Sequence, residues 1–149
     1  MDNRADACDA MGMTNHLIDA LRAPSVGRET EPLLTWPNGG SLRCGAFWQG
    51  VERISAVLHA DGVAPGDRVA AQIAKSVPAL QLYLATVRIG AVFLPLNTAY
   101  TRSEVDYFLQ DAEPKVVVCD PRQAQELSSA YPDTVIETLD ATGDGTLHR

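Results

Sequence analysis

The segment from Gly66 to Pro121 alternates between short apolar runs and longer segments of helical period, and this alternation constrains the fold most. The apolar runs have the length of strands: Arg68–Ile73, Ala91–Leu96 and Lys115–Cys119. Two segments with helical spacing separate them, Ser76–Ile89 and Thr101–Ala112. A β-α-β-α-β order predicts an α/β fold with a mostly parallel sheet and crossover helices.

Local signals at the ends of both helices agree with this order. Ser76 is a good N-cap because its hydroxyl can accept from an unpaired amide of the first turn, and Gly90 ends the same helix. Thr101 and Glu104 have the spacing of a capping box, and Pro114 stops the second helix.

The apolar spacing also predicts which helix faces pack on the sheet. In the first helix the expected inner face carries Leu80, Tyr83, Leu84 and Val87. In the second helix it carries Val105, Phe108, Leu109 and Ala112.

The residues before Gly66 predict a helix, a hairpin and a second helix. Thr14 is the expected N-cap of a short helix, Thr14–Leu21, with Leu17, Ile18 and Leu21 on one face. After a linker at Pro24–Glu31, two extended segments flank the turn Pro37–Gly40 and form the hairpin: Pro32–Trp36 and Ser41–Cys44. We expect Trp36 to pack on the core. Helix Ala46–Ala60 follows, with its apolar face at Phe47, Val51, Ile54 and Leu58.

Three weaker elements complete the chain. Arg122–Ala130 is predicted to be a polar helix, and Thr134–Leu139 a fourth strand of the sheet. The last segment, Asp140–Arg149, contains Thr-Gly-Asp-Gly-Thr, which faintly resembles a phosphate loop. It lacks the lysine and the following helix that such a loop requires, so we expect a surface turn.

Charge and composition exclude several classes of protein. The 149 residues carry 19 acidic and 12 basic side chains, a formal net charge of −7, which argues against nucleic acid as a partner. No apolar run reaches the roughly 20 residues of a membrane helix, so no membrane partner is expected. Cys8, Cys44 and Cys119 show no C-x-x-C spacing, which predicts reduced thiols in a cytoplasmic protein. Met1–Gly12 lacks the apolar core of a signal peptide and is expected to be a disordered tail, 1–12.

The residues alone point to no catalytic group and no metal site. There is no G-x-S-x-G, no H-E-x-x-H and no paired carboxylates in an apolar setting. Two short segments lie at the ends of predicted parallel strands, where open α/β sheets bind ligands: Pro95–Tyr100 and Lys75-Ser76. For both segments the alternative, which the residues alone favour, is an ordinary connection between a strand and a helix.

Three motifs between Val63 and Asn97 resemble those of the adenylate-forming (acyl-CoA synthetase, AMP-binding) superfamily. They are V-x-P-G-D-R-V at Val63–Val69, K-S-x-x-x-L-x-x-Y-L-A at Lys75–Ala85 and R-x-G-A-V-F-L-P-L-N at Arg88–Asn97. The run at Thr98–Pro114, and the segment from Asn15 to Arg22, are similar to malonyl-CoA synthetases in particular.

This resemblance implies the N-terminal subdomain of an adenylate-forming enzyme, at residues 13–149, without the phosphate loop and the C-terminal lid. The complete enzyme would use MgATP to convert a small carboxylate, such as malonate, to an acyl-adenylate and pass the acyl group to CoA. No position here matches a catalytic residue of the family, and no metal ligand is implied. Asn97, Thr98, Ala99 and Tyr100 are expected to line the path of CoA.

Two hypotheses about function remain open at this point. In the first, the chain is the N-terminal portion of a malonyl-CoA-synthetase-like ligase. By itself this portion is expected to be inactive, to bind no cofactor and to self-associate through an exposed sheet face. In the second, it is a stand-alone, non-catalytic α/β module that binds a partner subunit or a CoA-like ligand.

Overall fold

The computed structural model describes residues 15–148, which form five α-helices and six strands. Their order is α1 (His16–Arg22), β1 (Pro32–Thr35), β2 (Ser41–Arg43), α2 (Cys44–Ala60), β3 (Arg68–Gln72), α3 (Val77–Arg88), β4 (Val92–Pro95), α4 (Arg102–Ala112), β5 (Val116–Cys119), α5 (Ala124–Ala130) and β6 (Val135–Thr138). Short 3-10 turns follow α1, precede α5 and close the chain at Thr146–His148. Thr14 and the predicted tail 1–12 lie outside the described residues.

Strands β3 to β6 form one parallel sheet in the order β4-β3-β5-β6. The register places Val69 of β3 opposite Phe93 of β4 on one side and Val116 of β5 on the other. The chain therefore turns outward from β3 to β4 and then crosses back to β5. This reversal between β3 and β5 is the switch point of the sheet, and the parallel topology predicted from the sequence is confirmed.

Helices cover both faces of the sheet. On one face α2 and α3 pack against Val69, Ala71, Val116 and Val118. On the other face α4 and α5 contribute Val105, Leu109 and Leu127, which pack with Ala70, Val117 and Cys119. Because the central strands are buried on both faces, the expectation of an exposed sheet face is wrong, and self-association itself stays a prediction.

The predicted helix ends are confirmed for α3 and α4. Ser76 accepts from the backbone N–H of Ala79 at 3.2 Å, and Gly90 adopts a positive φ of 76° after α3. Thr101 and Glu104 form the capping box, in which the Glu104 carboxylate accepts from the Thr101 N–H at 2.8 Å. Helix α4 ends at Glu113, which is left-handed at φ 44° and precedes the buried Pro114.

The predicted face of α3 is partly wrong. Leu80 is 42% exposed, whereas Gln81, Leu82 and Ala85 are buried. Helix α3 packs against both the sheet and α2, so its buried surface is wider than one stripe and rotated away from Leu80. Tyr83 and Val87 lie at the border of the core.

Three expectations for the N-terminal elements need correction. Trp36 is 42% exposed and lies against the hairpin turn at Gly40, because the hairpin leaves it outside the core. On α1 only Ile18 is buried, and Leu17 and Leu21 are almost half exposed. Asn15 caps this helix by accepting from the Ile18 N–H at 3.2 Å, and its own amide donates to the Val87 carbonyl at 2.7 Å.

The segment after β6 is a surface turn, as predicted, with a buried end. The Asp140 carboxylate accepts from the backbone N–H groups of Thr142 and Asp144 at 2.8 and 2.9 Å. Leu147 then inserts into the core and is fully buried. The hydroxyl of Thr146 bonds to Glu137 and also accepts from the Thr138 N–H at 2.9 Å, which fastens the turn to β6.

A candidate ligand-binding edge of the sheet

The loops that follow β3, β4 and β5 meet at one edge of the sheet, because the carboxyl ends of parallel strands lie together. They are the segments 73–76, 96–101 and 120–123. The switch point between β3 and β5 opens at this edge, and open α/β sheets bind their ligands at that position. We call this region the carboxyl edge.

The loop after β4 is a compact turn, Asn97–Tyr100. The backbone N–H of Tyr100 donates to the Asn97 carbonyl at 3.0 Å, and the Asn97 side chain accepts from the Ala99 N–H at 2.9 Å. Asn97, Thr98 and Ala99 are exposed, whereas the Tyr100 ring stacks on Phe108 with ring centroids 5.2 Å apart. The turn thus presents short polar side chains to solvent and anchors itself through its last residue.

Gln72, at the end of β3, joins the loops on either side of it. Its side chain is 4% exposed. The amide nitrogen donates to the carbonyl of Asn97 at 3.0 Å and to that of Tyr100 at 3.4 Å. The amide oxygen accepts from the side-chain nitrogen of Gln123, in the loop after β5, at 3.3 Å. One buried amide therefore connects three segments of the carboxyl edge.

The loop after β5 carries a charged pair. The Asp120 carboxylate accepts from the Arg122 guanidinium at 2.8 and 2.9 Å and from the Arg122 backbone N–H at 3.0 Å. These hydrogen bonds, the side-chain ones first, lower the pKa of Asp120 to about 2. The pair closes the turn that leads into α5.

The other predicted segment, Lys75-Ser76, lies after β3 at the same edge. The Ser76 hydroxyl caps α3 by accepting from the Ala79 N–H, and Lys75 is exposed. Ser76 thus has the structural role predicted for it.

The opposite edge of the sheet contains the motif Val63–Val69 and the beginning of the motif Arg88–Asn97, and the contacts there are structural. Gly66 donates to the Gly90 carbonyl at 2.9 Å, and Val92 donates to the Asp67 carbonyl at 2.7 Å. The Arg68 guanidinium donates to the last carbonyl of α4, at Ala112. These contacts join the turn before β3 to the turn before β4 and to the end of α4, far from the carboxyl edge.

A groove of about 420 Å³ also opens near the amino ends of β5 and β6, between α4 and α5. Its lining includes Glu113, Pro114 and Thr134. Nearby, the Asp106 carboxylate accepts from the Tyr131 hydroxyl and from Arg102, and Arg102 also pairs with Glu126 at 2.7 Å. The hydrogen bond from Tyr131, followed by that from Arg102, lowers the pKa of Asp106. This network joins α4 to α5.

The described part of the chain offers little chemistry by itself. Across residues 15–148 no group of three or more His, Cys, Asp or Glu side chains is arranged to hold a metal ion. Burial raises the pKa of the Cys119 thiol to about 11, so this cysteine is a poor nucleophile. None of the helices in this range is both long and apolar enough to cross a membrane.

The sequence predicted the location of the candidate site but missed the residue that organises it. Asn97–Tyr100 lies at the carboxyl edge as expected from its place after a parallel strand. Gln72 lies within the predicted apolar run Arg68–Ile73, and that pattern assigns it no role of its own. The available signal was a large polar residue at the last position of a central strand, where its side chain requires a hydrogen-bonding partner.

Comparisons with a family model and with solved structures point to the same family of enzymes. Residues 25–147 match the family model described as AMP-binding enzyme. MatB from Rhodopseudomonas palustris, solved in its apo form, is 43% identical, with a TM-score of 0.81 over 91% of this chain and 27% of MatB. The ATP-bound form of MatB gives a TM-score of 0.76 at the same coverage.

Curated relatives include other CoA ligases. A protein of Humulus lupulus named probable CoA ligase CCL9 is 33% identical over 100 residues, 65% of this chain and 19% of its own. Oxalate–CoA ligase of Arabidopsis thaliana is 36% identical over 69 residues, 46% of this chain and 13% of its own. The chain thus spans less than a fifth of the length of these relatives.

Proposed function

Since this chain belongs to the AMP-binding enzyme family, we propose that it is the N-terminal portion of an ATP-dependent acid–CoA ligase of the malonyl-CoA synthetase type. The reaction joins a carboxylate to AMP with release of pyrophosphate, and the acyl group then passes to the CoA thiol. The observation that carries the proposal is the 43% identity to MatB over 91% of this chain, at a TM-score of 0.81. The similarity of Thr98–Pro114 to malonyl-CoA synthetases supports the choice of acid.

In this proposal residues 13–149 supply a scaffold, and the substrate chemistry requires further sequence. ATP and its Mg²⁺ would bind to a phosphate loop and a lid, and the turn Thr142–Thr146, which only faintly resembles such a loop, lacks its lysine. Positive charges and oriented amides around the phosphates are what adenylation requires, because negative charge develops there. The isolated chain is therefore expected to be inactive.

The contribution of this chain to the active site is proposed to be the path of CoA. Asn97, Thr98 and Ala99 are exposed on the turn at the carboxyl edge, with Tyr100 anchoring it. The short polar side chains of Asn97 and Thr98 and the backbone of the turn suit a flexible, hydrogen-bonding chain such as that of CoA.

A chimera tests the proposal. Residues 15–147 of this chain replace the matching N-terminal part of R. palustris MatB, and unaltered MatB is assayed beside it. We expect acid-dependent ATP–pyrophosphate exchange and formation of acyl-CoA by the chimera, and neither activity from the 149-residue chain alone. A chimera that unfolds cooperatively on heating but lacks both activities, while MatB is active, would contradict the proposal.

The acid is tested separately. The DNA beyond the codon for Arg149 is expected to encode a Ser/Thr/Gly-rich loop ending in Lys-Gly, in the same or a shifted frame. The polypeptide completed in this way is assayed with malonate, oxalate and acetate, and malonate should be preferred. Preference for another acid would retain the ligase class and overturn the assignment of malonate.

A second candidate is a stand-alone module that binds a CoA-like ligand or a partner subunit. It is favoured by the sheet, which its own helices cover on both faces. Titration of the 149-residue chain with CoA by nuclear magnetic resonance distinguishes the two. Saturable binding at the carboxyl edge, in a chain without ligase sequence downstream, would support the module.

A further inference from the structure

We propose that Gln72 is a positioning residue, which holds the turn Asn97–Tyr100 in the place that the approach of CoA requires. The inference rests on the proposed function. Gln72 lies beneath the turn, at the end of the central strand β3, on the sheet face that α4 and α5 cover.

The first step of the argument is that only an amide fits the partners of Gln72. Two carbonyl oxygens, of Asn97 and Tyr100, face its nitrogen, and a nitrogen of Gln123 faces its oxygen. A carboxylate of the same shape would place an oxygen against two carbonyl oxygens. An apolar side chain would leave those carbonyls without their donor.

The second step is that the turn has few other attachments. The side chains of Asn97, Thr98 and Ala99 are exposed and make no core contacts. The backbone N–H of Leu96 bonds to the Ala71 carbonyl at 2.9 Å before the turn, and the Tyr100 ring packs on Phe108 after it. Between these two anchors, Gln72 is the side chain that ties the backbone of the turn to the sheet.

The third step is the location of this contact. Gln72 bonds at once to the loop after β4 and to the loop after β5, the two strands that flank β3 in the sheet. Loss of the amide therefore changes the relative position of both loops at the point where α/β sheets bind ligands. Gln72 itself is buried, so it acts through the turn and does not touch the substrate.

A matched pair of variants separates this role from general stability. Gln81, on the other face of the sheet, is also buried, at 6% exposure, and donates to the Phe47 carbonyl at the same distance, 3.0 Å. Gln72→Met and Gln81→Met each keep an unbranched side chain and each remove a 3.0 Å bond to a backbone carbonyl. Gln72→Met also removes the longer bonds of Gln72 to Tyr100 and Gln123. Gln72→Glu is a second variant. It keeps an oxygen that accepts from Gln123, but it replaces the nitrogen that donates to the turn with an oxygen that cannot donate.

The first measurement is amide hydrogen exchange of the whole 149-residue chain. In Gln72→Met and Gln72→Glu the amides of residues 98–101 should exchange roughly tenfold faster, the equivalent of one lost hydrogen bond. In Gln81→Met their exchange should be unchanged. Equal exchange at the turn in Gln72→Met and the parent would overturn the proposal.

The second measurement uses the active chimera described above. Gln72→Met should raise KM for CoA roughly tenfold and leave ATP–pyrophosphate exchange, which precedes CoA, within about twofold. Gln81→Met should leave both unchanged. If both half-reactions fall together in Gln72→Met, the role is merely structural and the inference is wrong, although the proposed function stands. A parent chimera that is folded but inactive, while MatB is active, would refute the proposed function and with it the role in CoA approach. The exchange measurement would still decide whether Gln72 holds the turn.

Discussion

The side chain of Gln81 on α3 fills the space that Gly50 leaves on α2. A β-carbon built on residue 50 would lie 2.6 Å from Cδ of Gln81, inside van der Waals contact. Gln81 cannot simply swing away, because its nitrogen donates to the Phe47 carbonyl and its side chain is buried. The two helices therefore pack closely because residue 50 has no side chain.

Gly50→Ala should destabilise the fold by about 1–3 kcal/mol, as overpacked core sites do. A loss of stability is informative here, because Gly→Ala within a helix normally raises the free energy of unfolding by about 1 kcal/mol. Urea unfolding of the 149-residue chain measures the change, with exposed Gln49→Ala as the control. Adding Gln81→Ala to Gly50→Ala should recover part of the loss, and a more stable Gly50→Ala would show that the helices are not in this contact.

Gly145→Ala should displace the last turn of the chain. Residue 145 has φ 146°, and a β-carbon there would lie 2.5 Å from the carbonyl carbon of Thr138 and 2.9 Å from the nitrogen of Leu139. Both atoms belong to backbone, so they cannot rotate out of the way. Thr146 and the buried Leu147 should then lose their contacts with β6 and the core.

Gly39→Ala is the matched control for Gly145→Ala. Residue 39 also has a positive φ, 84°, but nothing lies within 4 Å of the added carbon. Backbone strain alone should cost about 1–2 kcal/mol there, and Gly145→Ala should cost more. Thermal unfolding compares the two, and equal losses would indicate that the close approach to Thr138 is absent in solution.

Asp120 should make stability depend on pH in the acid range. Its pKa is lowered to about 2, chiefly by the Arg122 guanidinium, so its charged form is favoured in the folded chain. The stabilisation is present above the ordinary pKa, about 4, and is lost as the pH falls toward 2. In Asp120→Asn the free energy of unfolding should change less between pH 4 and 2, whereas exposed Asp133→Asn should retain the slope of the parent. The same slope in Asp120→Asn and the parent would contradict this prediction.

Cys119 should resist thiol reagents while the chain is folded. The side chain is fully buried, and burial raises its pKa to about 11, so only about one thiol in a thousand is ionised at pH 8. Mass spectrometry after a brief pulse of iodoacetamide should find this residue unmodified, and modified once urea is added. Rapid labelling without urea would mean that the helices leave this face of the sheet open.

Most of the fold could be predicted because its signals are local. The capping box at Thr101 and the alternation of apolar runs depend on residues a few positions apart, and both are confirmed. The exposure of Leu80 and Trp36 was missed because burial depends on which element packs against which. Spacing along one helix does not show that α3 meets α2 as well as the sheet.

For the candidate site, too, some features follow from local sequence and others depend on tertiary packing. The sequence by itself determined that Asn97–Tyr100 follows a parallel strand and that the chain carries the motifs of its family. Only the tertiary structure decided that Gln72 joins this turn to Gln123, since the three segments are separated by 25 and 51 residues along the chain. It also decided that the turn at Gly66 meets Gly90 at the opposite edge. The physical reason is that a buried hydrogen bond needs a donor and an acceptor about 3 Å apart, and only the packing of the sheet places them so.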